Sequence, residues 1–268
     1  LNGKLDIGDM ATLAARVSLQ PGETRKIRFL LTWYFPHFIK YWDANQPMWK
    51  HEYCRRFSDV SAVTKYCYEN WDTLYRDSKR FADALTASTL PEACVEAASA
   101  NLAVLKSPTC LRLENGEFWA FEGTGAHAGS CEGTCDHVWN YQYALAFLFP
   151  NLAKQILEID YTYNITESGA MMFRTMLPLG SCKWGSRACV DGQMGSILRF
   201  YREWKLSGDD EWLRKYWRTV RKTLEYAWSP DNKDLWDPDK TGVIRGRQHH
   251  TLDVELFGAS AWLNGYYL

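Results

Sequence analysis

Apolar residues recur at intervals of three and four over most of the chain, a spacing that puts them on one face of an α-helix. The first run begins at Val60 and includes Val63, Tyr66 and Leu74. The predicted helices cover about 60–75, 92–105, 136–159 (with Pro150 as the point of a break), 193–206 and 211–228, and a sixth begins near Phe257. The chain is therefore predicted to be mainly helical.

Residues that favour helix ends stand at several of these boundaries. Ser58 or Asp59 can cap the first helix, because their side chains accept hydrogen bonds from free backbone N–H groups. The segment Ser207-Gly208-Asp209-Asp210 is expected to end the fourth helix and to cap the fifth.

Two segments carry strand signals instead. Residues 1–35 are predicted to form strands, with a hairpin turn at Gln20-Pro21-Gly22-Glu23. Residues 111–121 alternate around Asn115-Gly116, which predicts a short hairpin. Two or three strands are not stable alone, so we expect residues 1–35 to be the last strands of a β-sandwich.

Helix pairs separated by long loops, at 174–190 and 229–256, are typical of an α/α toroid whose loops line a central cleft. Six helices are about half of an (α/α)6 barrel. We therefore predict two domains: residues 1–45, with the C-terminal strands of a β-sandwich and a linker, and residues 46–268, the N-terminal part of the barrel. Both ends of the sequence look cut.

Composition and charge narrow the function classes. Hydrophobic residues make up 46% and charged residues 24%, and the net charge of -1 gives no indication of nucleic-acid binding. No apolar run is long enough to span a membrane, and no secretory signal is visible, so we expect a cytoplasmic location. The oligomeric state is left open.

Aromatic residues are abundant, with 13 Trp, 15 Tyr and 12 Phe. Their rings can stack on the C–H faces of sugars, although such residues also fill helical cores. The excess is compatible with carbohydrate binding without requiring it.

Metal binding is weakly indicated. The eight cysteines are expected to be free thiols, because a chain this long does not need disulfides. Cys131, Cys135 and His137 have a loose spacing and no second ligand pair follows them. The segment 237–242 resembles the first half of a Ca²⁺ loop but lacks the distant Glu, so a turn is favoured. No metal or cofactor is expected.

Carboxylates at loop mouths are the candidate chemistry. Glu122 follows an apolar strand and precedes a glycine, a position that suits a site, although it could also pair with a surface Arg. Asp253 lies in the loop before the sixth helix, where stabilising a helix N-terminus is the alternative. Thr251 can orient a carboxylate or bond a hydroxyl. Asp136 and Asp191 precede helices, so each is either a cap or a ligand for sugar hydroxyls.

Four segments together resemble glycoside hydrolase family 116, which includes non-lysosomal glucosylceramidases and bacterial β-glucosidases. They are Phe121-Glu122-Gly123, Gly133-Thr-Cys-Asp-His-Val-Trp-Asn-Tyr141, Tyr201-Arg-Glu-Trp-Lys-Leu-Ser-Gly-Asp209, and Thr251-Leu-Asp253 with Trp262-Leu-Asn-Gly265. They occur in the family's order over nearly the whole chain.

The resemblance implies a β-sandwich followed by an (α/α)6 barrel, with Glu122 as nucleophile and Asp253 as acid/base. Asp136 and Thr251 would help to hold the glycosyl unit, with His137 and Asp191 as further candidates. The family often has a His-Asp pair where this chain has Thr175-Met-Leu-Pro-Leu-Gly180, which bears on the choice of sugar.

The implied reaction is hydrolysis of a β-glucoside, either a small molecule or a glycolipid, by double displacement. Glu122 must then be ionised and Asp253 must carry a proton. The alternatives are an inverting glycosidase and a sugar-binding scaffold without hydrolysis.

Overall fold

The computed structural model describes residues 12–40, 43–125, 129–181 and 187–268, and these are mainly helical with small strand pairs. The prediction of a mainly helical chain is confirmed. The α-helices in these ranges are α1 (Val60–Glu69), α2 (Trp71–Thr86), α3 (Glu92–Ser99), α4 (Asp136–Asn140), α5 (Ala144–Leu148), α6 (Pro150–Tyr163), α7 (Val190–Ser207), α8 (Asp210–Glu225) and α9 (Ala261–Tyr267). Short 3₁₀ helices cover Glu52–Arg55, Leu102–Lys106 and Tyr226–Trp228.

The strands form two-stranded antiparallel ladders. The pairs are β1 (His37–Ile39) with β2 (Met48–Lys50), β3 (Cys110–Arg112) with β4 (Phe118–Ala120), β5 (Gly123–Thr124) with β6 (Gly129–Ser130), β7 (Thr134–Cys135) with β8 (Arg174–Thr175), and β9 (Gln248–His249) with β10 (Glu255–Leu256).

The predicted helix ends are largely confirmed. Asp59 caps α1 by accepting from the backbone N–H of Ala62 at 2.8 Å. Gly208 ends α7 with φ +65°, a conformation that glycine adopts without strain, and Asp209 caps α8. The first predicted helix is interrupted at Asn70, which separates α1 from α2.

The third predicted helix is broken into α4, α5 and α6. One break precedes Pro150, as predicted, because proline fits the first turn of a helix but not its interior. The other lies at 141–143, between α4 and α5. The last helix begins at Ala261, four residues after the predicted start at Phe257.

The two hairpin predictions have different outcomes. In the second, Leu111 pairs with Trp119 and Gly116 turns the chain with φ +90°, so this hairpin is confirmed. In the first, the turn forms, with Glu23 N–H bonded to Gln20 at 2.9 Å, but residues 12–36 form no strand, so the prediction there is wrong. Without a neighbouring strand in the described ranges, this segment's backbone groups have no ladder to join.

Several predictions fall partly on residues outside the described ranges. These are the strand segment at 1–11, the linker at 41–42, the middle of the glycine-rich loop at 126–128, and Cys182 and Gly185 in the loop at 174–190. The seven described cysteines are free thiols, as predicted. The half-barrel and the two-domain division stay predictions.

Helix α7 is the centre of the packing. It contacts α4, α6, α8 and α9. On one side Val190 and Met194 join a buried cluster with Trp236 and Leu263. On another, Phe200 stacks on Trp212 of α8 with ring centroids 4.0 Å apart. No described helix has the length and apolar composition needed to cross a bilayer.

The buried side-chain amide of Gln193 links three segments of the chain through hydrogen bonds. Its Oε1 accepts from Met171 N–H at 2.8 Å, and its Nε2 donates to the carbonyls of Gly169 and Thr223. Replacing Gln193 with Leu leaves these groups buried and unpaired, so we expect the free energy of unfolding to fall by about 3 kcal/mol or more. Denaturant unfolding measures the loss, and exposed Gln20→Leu is the matched control. A loss below that of the control contradicts this account.

The buried carboxyl of Asp160 predicts a pH dependence of stability. Burial raises its pKa to about 6, although Arg199 and a hydrogen bond from Thr175 lower it. A raised pKa favours the protonated folded state, so this stabilisation is present at low pH and is lost as pH rises through about 6. The stability of the wild type relative to Asp160→Asn should therefore fall by up to about 3 kcal/mol between about pH 4 and pH 7.

Chemical denaturation at several pH values measures this difference. Asp72→Asn, at a side chain that is 96% exposed, should show a flat difference. A wild-type advantage that grows with pH would mean that attraction between Asp160 and Arg199 outweighs the cost of burial.

Candidate active site

Glu122 stands just after β4, where the hairpin meets the glycine-rich loop. Its backbone N–H bonds to the carbonyl of Ser130 at 3.1 Å. Its carboxylate forms an ion pair with Arg174, and both side chains are largely buried. Arg174 lies opposite Cys135 in the β7–β8 ladder, so that ladder fixes the guanidinium that holds Glu122.

The strand before Glu122 is tied to the same ladder. Ala120 N–H donates to the hydroxyl of Thr134 at 3.0 Å, and the indole N–H of Trp119 donates to the carbonyl of Thr175 at 2.8 Å. Trp119 is fully buried. These bonds join β4 to β7 and β8, so the backbone leading to Glu122 is fixed on both sides.

Asp136 is buried at the start of α4, and the alternative that it caps this helix is wrong. The N-cap position belongs to Cys135, and within the described residues neither carboxylate oxygen of Asp136 has a hydrogen-bond partner. Its side chain is directed at Gly192, where a Cβ atom would come within 2.6 Å of the carboxylate. Asp136 is therefore held by packing rather than by hydrogen bonding.

The surroundings of Asp136 disfavour its charge. Burial raises the pKa of Asp136 well above its usual value, and the negative charges of Asp160 and Asp191 add to this effect. The backbone N–H of His137 and the charge of Arg199 oppose it, although that N–H forms no hydrogen bond with the carboxylate. A ligand that forms hydrogen bonds with the Asp136 carboxyl would relieve the cost of burying these oxygens without partners.

His137 follows Asp136 and is 3% exposed. Burial lowers the pKa of His137 and outweighs nearby carboxylates, so the imidazole is neutral at pH 7. The ring of Phe173 contacts it edge-on, with centroids 5.7 Å apart. Neither ring nitrogen has a hydrogen-bond partner among the described residues.

Asp191 is in the first turn of α7, and its carboxylate is occupied by three donors. They are the hydroxyl of Tyr141 at 2.9 Å, the backbone N–H of Gly192 at 3.0 Å and the backbone N–H of Thr251 at 3.1 Å. The last bond crosses from α7 to the loop that carries Asp253. Asp191 thus orients Thr251, and it does not cap α7, because the N-cap position is Cys189.

Asp253 lies in a turn closed by a bond from its own N–H to the carbonyl of His250, at 2.9 Å. Its φ is +55°, and its side chain is 83% exposed. The turn is eight residues before α9, so the alternative of a helix N-terminal acid is wrong. The nearest ionisable partner is His249, whose Nε2 is 4.0 Å from the Asp253 carboxylate.

His249 is held from its other nitrogen. Its Nδ1 is 2.9 Å from the carboxylate of Glu255, and its ring stacks on Phe173 at 4.7 Å. Burial raises the pKa of Glu255, but the opposing effects of His249, Arg187 and Arg247 are larger together. The pKa of Glu255 is therefore lowered, and this carboxylate is ionised. The charged network keeps Nε2 of His249 directed at Asp253.

The six residues selected from the sequence are connected through His137 by electrostatic interactions, by chain adjacency and by one hydrogen bond. The charges of Asp191, Glu122 and Asp253 all act on its ring, and Asp136 is its neighbour. Thr251 joins through its bond to Asp191. Glu122 and Asp253, which are far apart in the sequence, therefore both act electrostatically on His137.

Two contributors were not predicted, Arg174 and Cys189. Arg174 was missed because only the β7–β8 pairing brings it to Glu122, and nothing in its local sequence signals that pairing. Among the described residues, two sets of side chains have ligand atoms within 4.8 Å of one another and could hold a metal ion. One set is Glu122, Cys135 and His137, and the other is Asp136, His137 and Cys189. The predicted turn at 237–242 is present, and Asp237 accepts from Thr241 and Gly242.

Residues 2–74 match the family model described as beta-glucosidase 2, glycosyl-hydrolase family 116 N-term. No curated protein matches the chain. The family match points to a glycoside hydrolase of the β-glucosidase kind, while Glu122 and Asp253 lie outside the matched residues. The resemblance of this sequence to glycoside hydrolase family 116 is thereby confirmed, through the N-terminal domain of that family at residues 2–74.

Proposed function

We propose that the protein is a retaining β-glycosidase, of the β-glucosidase or glucosylceramidase kind, with Glu122 as nucleophile and Asp253 as acid/base. The observation that carries the proposal is that both carboxyls act electrostatically on His137, where buried polar atoms of Asp136 and His137 have no hydrogen-bond partner among the described residues. The substrate is a small glycoside or a glycolipid. A cytoplasmic location stays a prediction.

The surroundings of Glu122 support a nucleophile. An attacking carboxylate must be ionised and must approach the anomeric carbon from a fixed direction. The ion pair with Arg174 fixes the carboxylate from one side, and the bonds that join β4 to β7 and β8 restrict movement of the backbone. Gly123 follows immediately and adds no side chain next to the carboxylate.

The surroundings of Asp253 support an acid/base. This group must give a proton to the leaving oxygen and later take one from water, so it needs contact with both solvent and substrate. Its side chain is 83% exposed, and His249 faces it from one side. His249 is in turn anchored by Glu255, which is held by Arg187.

Asp136 and His137 support a sugar-binding role. Buried polar atoms nearly always have hydrogen-bond partners, so two adjacent side chains with four atoms lacking one among the described residues are a strong indication of a ligand. Sugar hydroxyls both donate and accept, which suits a carboxyl beside a neutral imidazole. Thr251 and Asp191 are the other proposed contacts.

The reaction proceeds in two displacements. Glu122 attacks the anomeric carbon while Asp253 protonates the glycosidic oxygen, and the bond to the aglycone breaks. Asp253, now a base, takes a proton from water, which attacks the same carbon and releases Glu122. The product therefore keeps the β configuration.

Two alternative functions, an inverting glycosidase and a sugar-binding scaffold, can be distinguished from the proposed one by simple measurements. An inverting enzyme would release the α-anomer first, which proton NMR of the fresh product detects. A sugar-binding scaffold would bind glucosides without turnover. The presence of both carboxyls around His137 favours catalysis over binding alone.

Glu122→Gln in the full-length protein should reduce hydrolysis of an aryl β-glucoside at least about a thousandfold, because the amide cannot form the glycosyl ester. Incubation of the wild type with a 2-deoxy-2-fluoro β-glucoside should add one glycosyl group to Glu122, as read by peptide mass mapping. Exposed Glu114→Gln is the matched control and should retain activity. A label on another residue would reject Glu122 as the nucleophile.

Asp253→Asn should affect substrates according to their leaving groups. Loss of proton donation should slow an alkyl β-glucoside about a hundredfold or more, and an activated aryl glucoside much less in the glycosylation step. Rates on both substrates, with exposed Asp239→Asn as control, give the comparison. Equal losses on the two substrates would argue against the acid/base role.

A further inference from the structure

Three buried side chains beside the proposed catalytic centre offer an unusual set of donors. Asp136, His137 and Cys189 are at most 3% exposed, and one ligand atom from each lies within 4.8 Å of the others. Carboxylate, imidazole and thiolate are the three ligand types that Zn²⁺ uses in proteins. They come from two helix starts, α4 and α7, which pack directly against each other.

The three side chains lack hydrogen-bond partners in the described ranges, whereas the neighbouring carboxylates are already bonded. Neither oxygen of Asp136 and neither nitrogen of His137 has a hydrogen-bond partner within the described ranges, and Cys189 is a free thiol. Asp191, in contrast, accepts three hydrogen bonds, and Glu122 is paired with Arg174. The second set of possible ligands, which uses Glu122, would have to break that ion pair.

The charge around the three donors favours a cation. The carboxyls near them outnumber the guanidinium groups: Glu122, Asp136, Asp160, Asp191 and Asp253 face Arg174 and Arg199.

We propose that Asp136, His137 and Cys189 form a binding site for a thiophilic divalent cation, Zn²⁺ being the natural candidate, and that the cation and the sugar exclude each other. On binding, the sulfur of Cys189 and the carboxylate of Asp136 bond to the metal, and the protons they carry leave to solvent. Gly192 provides the space for the Asp136 carboxylate that both ligands would use. The exclusion of sugar rests on the proposed function, whereas metal binding does not.

Co²⁺ is the probe, because a thiolate bound to Co²⁺ gives a near-ultraviolet charge-transfer absorption that nitrogen and oxygen ligands do not. Titration of the full-length protein with Co²⁺ alone should give this band with one ion per chain, and Zn²⁺ should abolish it. Cys189→Ser should remove the band. Cys94→Ser, at an exposed thiol in α3, and Cys135→Ser should keep it.

A second variant covers the case in which Cys189→Ser does not fold. Asp136→Asn keeps the shape of the side chain and should weaken Co²⁺ binding about tenfold or more. Absence of the band in the wild type, or a band that Cys189→Ser retains, would overturn the metal site.

The competition is tested with Glu122→Gln, which should bind an aryl β-glucoside without hydrolysing it. Saturation with the glucoside should suppress the Co²⁺ band, and Zn²⁺ should raise KM for the wild type more than it lowers kcat. If the band forms and needs Cys189 but the glucoside leaves it unchanged, the metal site stands, and the contact of Asp136 and His137 with sugar is rejected.

Discussion

The close approach of α4 to α7 is the constraint on which the rest of the centre depends. Gly192 and Gly195 stand one turn apart on α7, and a Cβ atom at either would collide with Asp136 or Asn140 on α4. Asn140 uses the contact to donate to the backbone carbonyl of Asp191 at 3.0 Å. Because the helices touch through backbone, the polar starts of both are buried together, and their acids have to share one small volume.

Local signals in the sequence predict local structure well. The cap at Asp59, the glycine end of α7 and the Asn115-Gly116 hairpin each depend on a few neighbouring residues, and all are confirmed. The strands expected before Trp33 fail because a strand needs a partner, which a local pattern cannot supply. Of the two breaks in the third predicted helix, only the break before Pro150 was predicted, because only proline gives a local signal.

The site shows the same division between local and distant causes. Glu122 and Asp253 were selectable because a strand end and a loop are recognisable positions, and the family resemblance added their roles. Arg174 was not, because its approach to Glu122 depends on β7 pairing with β8 across a gap of about forty residues. For Asp136 the sequence left a cap and a sugar ligand as alternatives for a related reason: its burial against Gly192 depends on a residue that lies far along the chain.

The two proposed catalytic carboxyls differ in how firmly the chain holds them, and the difference matches the demands of their roles. Glu122 is fixed by an ion pair and by backbone bonds on both sides. Asp253 extends from a turn with φ +55°, a left-handed conformation that Asp tolerates better than most residues, and its carboxyl is open to solvent. A nucleophile gains from a fixed direction of attack, because misplacement by about 1 Å can cost a hundredfold in rate. An acid/base that must exchange protons with an aglycone and then with water gains from access, and a short turn anchored by the carbonyl of His250 supplies it.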